Sequence, residues 1–289
     1  MKKLIWLSFF IIHAFHEGVA QDGLPVSYAQ LESSYRTINP TYQCKDENLE
    51  FVSGIQQLTG AFNGFRSFYL NASVALSADT NAGSRQVVGL TFLNDVQGTV
   101  FRTTKAYGSY SYHLAFSEKW RLAAGTSFGF SNFRIDGTVA NQTASAIAPD
   151  ANVGLLVYSN RLYFGLSGNQ IFNNSLRPID QEIPLRRHFI IFSNIVVPIN
   201  QSFDFFAYSI VRMSKRKDID LQLMGRLQEK FLFGVSGRRN RGVAGMVGLE
   251  RISILHFQFS FLISYQLVVS SKTYSPPESV ELSLKFLLN

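Results

Sequence analysis

The chain has 289 residues, with 27 Lys+Arg against 20 Asp+Glu (net +7) and a single cysteine, Cys44. One thiol excludes an internal disulfide and any cysteine-built metal site. The apolar fraction is 46%, yet beyond the N-terminus no run of ~18 uninterrupted apolar residues forms a spanning helix, and the basic excess favours lipid phosphates or an acidic partner.

In chain order, residues 1–20 read as a secretory signal. Lys2 and Lys3 supply the positive start, Leu4 to Phe15 the apolar stretch, and Gly18-Val19-Ala20 the small residues before a cut after Ala20. The stretch is short of the ~20 residues that a membrane anchor needs. Residues 21–47 carry Pro25 and Pro40 and lack regular alternation. Two readings stay open for them: a periplasmic lead-in, or a plug folded into a barrel lumen.

From 48 to 289 the chain alternates apolar and polar residues, a period of 2 that specifies β-strands. In the last strand Val280, Leu282, Leu284, Phe286 and Leu288 share one face, opposite Ser279, Glu281, Ser283 and Lys285. About fourteen strands are expected, near 48–58, 66–77, 85–94, 101–116, 119–133, 150–158, 161–168, 186–197, 202–213, 218–228, 231–238, 241–250, 253–267 and 279–288. The 26 Phe and 12 Tyr suit lipid-facing positions and interfacial girdles. The expected fold is all-β: a transmembrane antiparallel β-barrel in the cell outer membrane. Within it, Phe189 to Val197 alternates less cleanly, which suggests a bulge or a change of face. Gly125, Gly129, Gly154, Gly165 and Gly234 suit crowded or curved positions.

The connections sort by parity. Those after even strands are mostly short, such as Ser159-Asn160, and several after odd strands are long: 134–149, 169–185 and 268–278. Outer-membrane barrels have short periplasmic turns and longer outer loops, so the odd connections are expected outside. They carry the basic clusters Arg186-Arg187, Arg212 with Lys215-Arg216-Lys217, and Arg238-Arg239 with Arg241. These are candidate partner-binding residues, for an acidic protein or lipopolysaccharide phosphates. No aromatic platform accompanies them, which argues against nucleic acid.

Catalysis finds little support. His113, His188 and His256 lie in or beside different strands, and no P-loop, Rossmann or zinc-protease motif appears. No cofactor or metal is implied.

Several short motifs run in order through the chain. They are Ile38-Asn39-Pro40-Thr41-Tyr42; Gly89 to Asp95 with Gly98; Arg121-Leu122-Ala123-Ala124-Gly125; Pro149 to Gly154; Tyr158 to Ser167; and Arg187-His188-Phe189. In this order the chain resembles the PorP/SprF family of type IX secretion outer-membrane proteins. It departs from the family where Val280 precedes Glu281 in place of His, and where Gln43-Cys44 follows Tyr42. The resemblance implies a non-enzymatic accessory role in export or surface attachment of a cargo such as a large adhesin, in some members a gliding adhesin. It also implies contact with the type IX machinery, and adds Tyr35, Asn39, Pro40 and Tyr42 as candidate partner-binding residues. A channel for small or apolar solutes is the alternative.

Overall fold

The computed structural model describes residues 28–43, 48–79, 83–137, 143–179, 182–213, 217–238, 242–254, 257–267 and 278–288. The expected signal and cleavage site, residues 1–20, lie outside the described residues.

The wall is built from β1 (Leu49–Leu58), β2 (Phe65–Asp79), β3 (Ser84–Gln97), β4 (Phe101–Ala115), β5 (Arg121–Ile135), β6 (Ala144–Tyr158) and β7 (Leu162–Asn169). A two-residue hairpin follows, β8 (Ser175–Leu176) and β9 (Ile183–Pro184). The wall resumes with β10 (His188–Asn200), β11 (Phe203–Met213), β12 (Lys217–Leu227), β13 (Phe231–Arg238), β14 (Gly242–Ile254), β15 (Phe257–Leu267) and β16 (Ser279–Leu288). Fourteen of these strands close into an antiparallel barrel, sealed where β1 pairs with both β2 and β16. Closure pairs the first strand with the last and leaves no edge strand, as a bilayer demands, because lipid offers no hydrogen bonds.

Alternation sets the two surfaces. Phe128, Phe164, Phe233, Ile263 and Phe286 face outward and are exposed, whereas Ser127, Ser236, Ser264 and Glu281 point in and are buried. The long connections 136–143 and 170–187 lie at one end, here the loop end, and the short 159–161 and 228–230 at the other, the turn end.

Two local expectations differ from the structure. The connection expected at 134–149 is shorter, because β6 begins at Ala144 and pairs with β5 from Ile135 onward. Pro149 lies inside β6, paired with Phe130 of β5. It is accommodated because β7 pairs with β6 only from Val153, which leaves one edge of β6 open at Pro149. The run Phe189 to Val197 holds strict register; the irregularity comes later, between Pro198 and Asn200. Its inward residues Ile190 and Phe192 are apolar because something apolar packs on them.

That something is the N-terminal segment. Residues 28–43, which include α1 (Leu31–Ile38), lie inside the barrel. Leu31, Tyr35, Ile38 and Tyr42 join Leu156, Tyr163, Ile190, Phe192, Ile210, Met224 and Met246 in one buried cluster. At the loop end, Leu176 and Leu185 fold onto Ala148 of the inner wall.

Candidate functional site

The lumen is lined by buried polar side chains, and the 28–43 segment crosses it by meeting successive strands. Tyr28 packs on Tyr69 of β2; the residues after it meet β16 and β15, then β12, β11 with β10, β1 through Arg36, β7 with β6, and finally β4.

α1 begins without a side-chain cap of its own, so its first N–H groups need partners. The wall supplies them. The Ala29 N–H donates to Glu281 Oε2 at 2.6 Å and the Leu31 N–H to Gln222 Oε1 at 2.6 Å. Gln30 Nε2 donates to the Leu262 carbonyl at 3.0 Å, and the Ser283 hydroxyl donates to Gln30 Oε1.

Further along, the Tyr35 ring lies tilted 4.4 Å from Phe192 and edge-on 5.1 Å from Tyr42. Its hydroxyl lies 2.7 Å from the Ser193 carbonyl and accepts the Ser209 N–H at 3.0 Å. Ser193 and Ser209 face each other across β10 and β11, so the tyrosine wedges into that ladder. Burial pushes its phenol well above the ordinary tyrosine range, and the hydroxyl stays neutral.

Arg36 is buried, 3% exposed, and its Nε donates to Glu50 Oε1 at 2.8 Å; Glu32 lies 3.3 Å away. Burial alone would lower its pKa; Glu50 and then Glu32 more than reverse this, so the net shift is upward. Lys285 of β16 reaches Glu32 at 3.4 Å, which ties the exposed side of α1 to the wall.

Pro40 follows the helix stop at Asn39, whose N–H still bonds the Tyr35 carbonyl at 3.0 Å. Asn39 Nδ2 donates to the carbonyls of Leu166 at 3.1 Å and Leu155 at 3.3 Å, which face each other across β6 and β7. Its Oδ1 accepts the Thr41 N–H and hydroxyl at 2.9 and 2.7 Å. Gly154 lies directly beneath Asn39, with no room for a Cβ, and Gly89 does the same beneath Gln43.

The candidates expected from sequence separate into three groups. Tyr35, Asn39, Pro40 and Tyr42 are all buried in the lumen, where their contacts are with the wall, so no partner reaches them in this state. Arg212 and Arg238, expected on a solvated rim, point inward. Arg212 is 2% exposed and pairs with Asp220 at 2.6 Å, and Arg238 donates to Gln266 at 2.6 Å. Their register puts them on the inner face, so they brace the lumen wall and do not form a rim. Arg186, Arg187 and Lys217 are exposed at the loop end. Lys215, Arg216, Arg239 and Arg241 lie outside the described residues, as do Cys44 and His256.

The sequence reading missed Glu50, Gln222 and Glu281 as the groups that receive the segment. Each was visible as a polar residue on an inward position, but nothing local named its partner. Among the described histidines, His113 and His188 do not come together in one site. His113 contacts Ser111 Oγ at 3.1 Å and the Tyr158 hydroxyl at 2.9 Å. All three residues are sealed from solvent, at 2% exposure or less, so no substrate carbonyl can approach the serine.

Comparison with known proteins gives concordant results. Among solved structures, the barrel is similar to the Ralstonia pickettii toluene transporter TbuX (TM-score 0.57, 10% identity, 89% of this chain and 93% of that one). It is also similar to the Pseudomonas putida toluene transporter TodX (0.53, 10%, 87% and 92%) and to a Pseudomonas aeruginosa FadL homologue (0.50, 9%, 86% and 92%). At such identity the likeness concerns the fold, that of outer-membrane barrels. No curated protein matches the sequence. The family described as type IX secretion system membrane protein PorP/SprF matches residues 20–286. With that match spanning nearly its whole length, the chain belongs to the PorP/SprF family and is an outer-membrane β-barrel of type IX secretion.

Proposed function

We propose that this protein is a non-enzymatic accessory of type IX secretion that helps one cargo, such as a large adhesin, reach or stay on the cell surface. The observation that carries the reading is the filled lumen in a chain of this family. A barrel whose interior is occupied by its own residues 28–43, held through Glu50, Gln222 and Glu281, serves as a docking scaffold better than as a pore. Docking then falls to the ends. The exposed Arg186, Arg187 and Lys217, with Lys215 and Arg216 beside Lys217 in sequence and Arg239 and Arg241 in the connection after β13, would present positive charge to an acidic partner or to lipopolysaccharide. Deletion of the gene is expected to leave one or a few surface proteins missing or shed into the medium, while other type IX cargo is displayed. Surface proteomics that found every cargo in place would defeat the proposal.

The neighbours named as toluene transporters support a second reading, a conduit for small apolar solutes. The filled lumen weighs against it. The purified barrel is expected to be silent in planar bilayers, whereas removal of residues 28–43 should produce conductance. Steady conductance from the intact chain would favour the conduit.

A further inference from the structure

The outer surface of β2 to β5 carries an arrangement that the docking proposal does not use. Strand register fixes it. Arg66 of β2 faces Val96 of β3; Val96 faces Arg102 of β4; Arg102 faces Arg134 of β5. The four residues form one continuous row at the loop end. All three arginines are exposed, and they share parity with the outward Phe68, Leu114 and Phe128, so they project from the outside of the barrel.

Such a row is unfavourable by itself. Arg102 and Arg134 are direct cross-strand partners, which sets their Cα atoms roughly 4.5–5.5 Å apart, and like charges so placed repel. Arg66 and Arg102 flank a single strand, at about twice the ~4.8 Å strand spacing. Little protein charge offsets them. Arg134 has the half-buried Asp136 at 2.5 Å, a partly solvated pair of small worth. Asp95, the nearest strand carboxylate, points into the lumen, where it takes the Ser67 hydroxyl at 2.5 Å.

The rows beneath complete the pattern. The next outward row holds Phe68, Asn94, Thr104 and Asn132, with Asn94 Nδ2 donating to Thr104 Oγ1 at 2.9 Å. The row after it is apolar: Leu70, Phe92, Ala106 and Phe130. On β4 and β5 the surface changes within three rows from guanidinium to hydroxyl and amide to hydrocarbon, while β2 is apolar from Phe68 onward. That order matches a lipid with a phosphorylated headgroup, a polar linkage region and acyl chains. Guanidinium groups bind phosphate through paired charge-assisted hydrogen bonds.

We infer that the Arg66–Arg102–Arg134 row is a binding site for the phosphates of lipid A, the phosphorylated disaccharide lipid of the outer leaflet. On the orientation expected from connection length, this end faces outside, where that leaflet lies. The site is independent of the cargo role, and in detergent its test is also independent of orientation.

The test is native mass spectrometry of the full barrel in mild detergent, with diphosphoryl lipid A, its dephosphorylated form and phosphatidylglycerol as probes. The wild type should retain diphosphoryl lipid A above the other two. The combined Arg66→Gln, Arg102→Gln, Arg134→Gln variant should lose that retention by about tenfold or more, since the charge-assisted hydrogen bonds to phosphate are removed. A control with Lys119→Gln, Arg161→Gln and Lys230→Gln, exposed at the turn end, should keep it. Heat-dependent gel mobility verifies that each variant is a closed barrel. Equal retention by wild type and the arginine variant would overturn the site, and equal retention of phosphatidylglycerol would overturn lipid A as its ligand.

Discussion

Arg36→Ala should release residues 28–43 from the lumen while the barrel stays closed. The guanidinium and its partner Glu50 are each 3% exposed, and their 2.5 Å contact is sealed from water. Truncation of Arg36 removes the partner but not the carboxylate, which cannot be solvated where it lies. Breaking a buried pair in this way costs about 3–5 kcal/mol. Part of that cost can be recovered by letting α1 leave its seat and water enter. The wall has its own complete ladder and need not unfold. A shift of this size raises the exposed fraction of the segment by roughly two to three orders of magnitude. Limited proteolysis in mild detergent would read it as cleavage within residues 28–43. Glu50→Gln should act more weakly, because Glu32, 3.3 Å from the guanidinium, still balances Arg36. The double variant Arg36→Met, Glu50→Leu should restore most of the protection, since replacing both partners by apolar groups is often neutral. Wild-type protection in Arg36→Ala would show that the pair does not hold the segment.

The wall was legible because its signal is local and repeated. Period 2 declares a strand from its own residues, and fourteen such segments with alternating connection lengths declare a closed barrel. The fate of residues 28–43 was not legible, because it depends on partners far along the chain: Ala29 meets Glu281, and Tyr35 meets Ser193 and Ser209. The inward apolar residues Ile190 and Phe192 were a trace of that packing, but in isolation they resembled a flaw in alternation. The charged residues show a different limit. Arg212 lies in step with the inward Tyr208 and Ile210, and Arg238 with the inward Ser236, so extending each strand's own alternation points both into the lumen. Grouping them with nearby Lys and Arg by sequence alone hid this. The Asn39-Pro40-Thr41-Tyr42 motif was visible as a family mark, but its physical task, stopping α1 and pinning it to β6 and β7, needed the register of those strands.

Gly154→Val tests that pinning from the side of the wall. No left-handed backbone angle restricts residue 154, so the strand itself accepts a side chain, and valine suits strands. The obstacle is Asn39, whose Oδ1 occupies the space of the new Cβ, with Pro40 Cδ 3.0 Å away. Asn39 cannot simply yield, because the same amide bonds the Leu155 and Leu166 carbonyls and receives both Thr41 donors. Overpacking costs about 1–3 kcal/mol, and stranding a buried amide adds roughly 1–3 kcal/mol. The expected result is a closed barrel, read by heat-dependent gel mobility, whose residues 28–43 have become protease-sensitive. Asn39→Gly in the Gly154→Val background should relieve the clash without restoring the hydrogen bonds, so protection should return only in part. Gly108→Val is the matched control. Gly108 is an exposed glycine of β4 with nothing within 4 Å of its would-be Cβ, and valine there should leave the segment protected. If Gly154→Val and Gly108→Val were equally protected, the fit of Asn39 against β6 would not be what seats the segment. The family motif would then need another explanation.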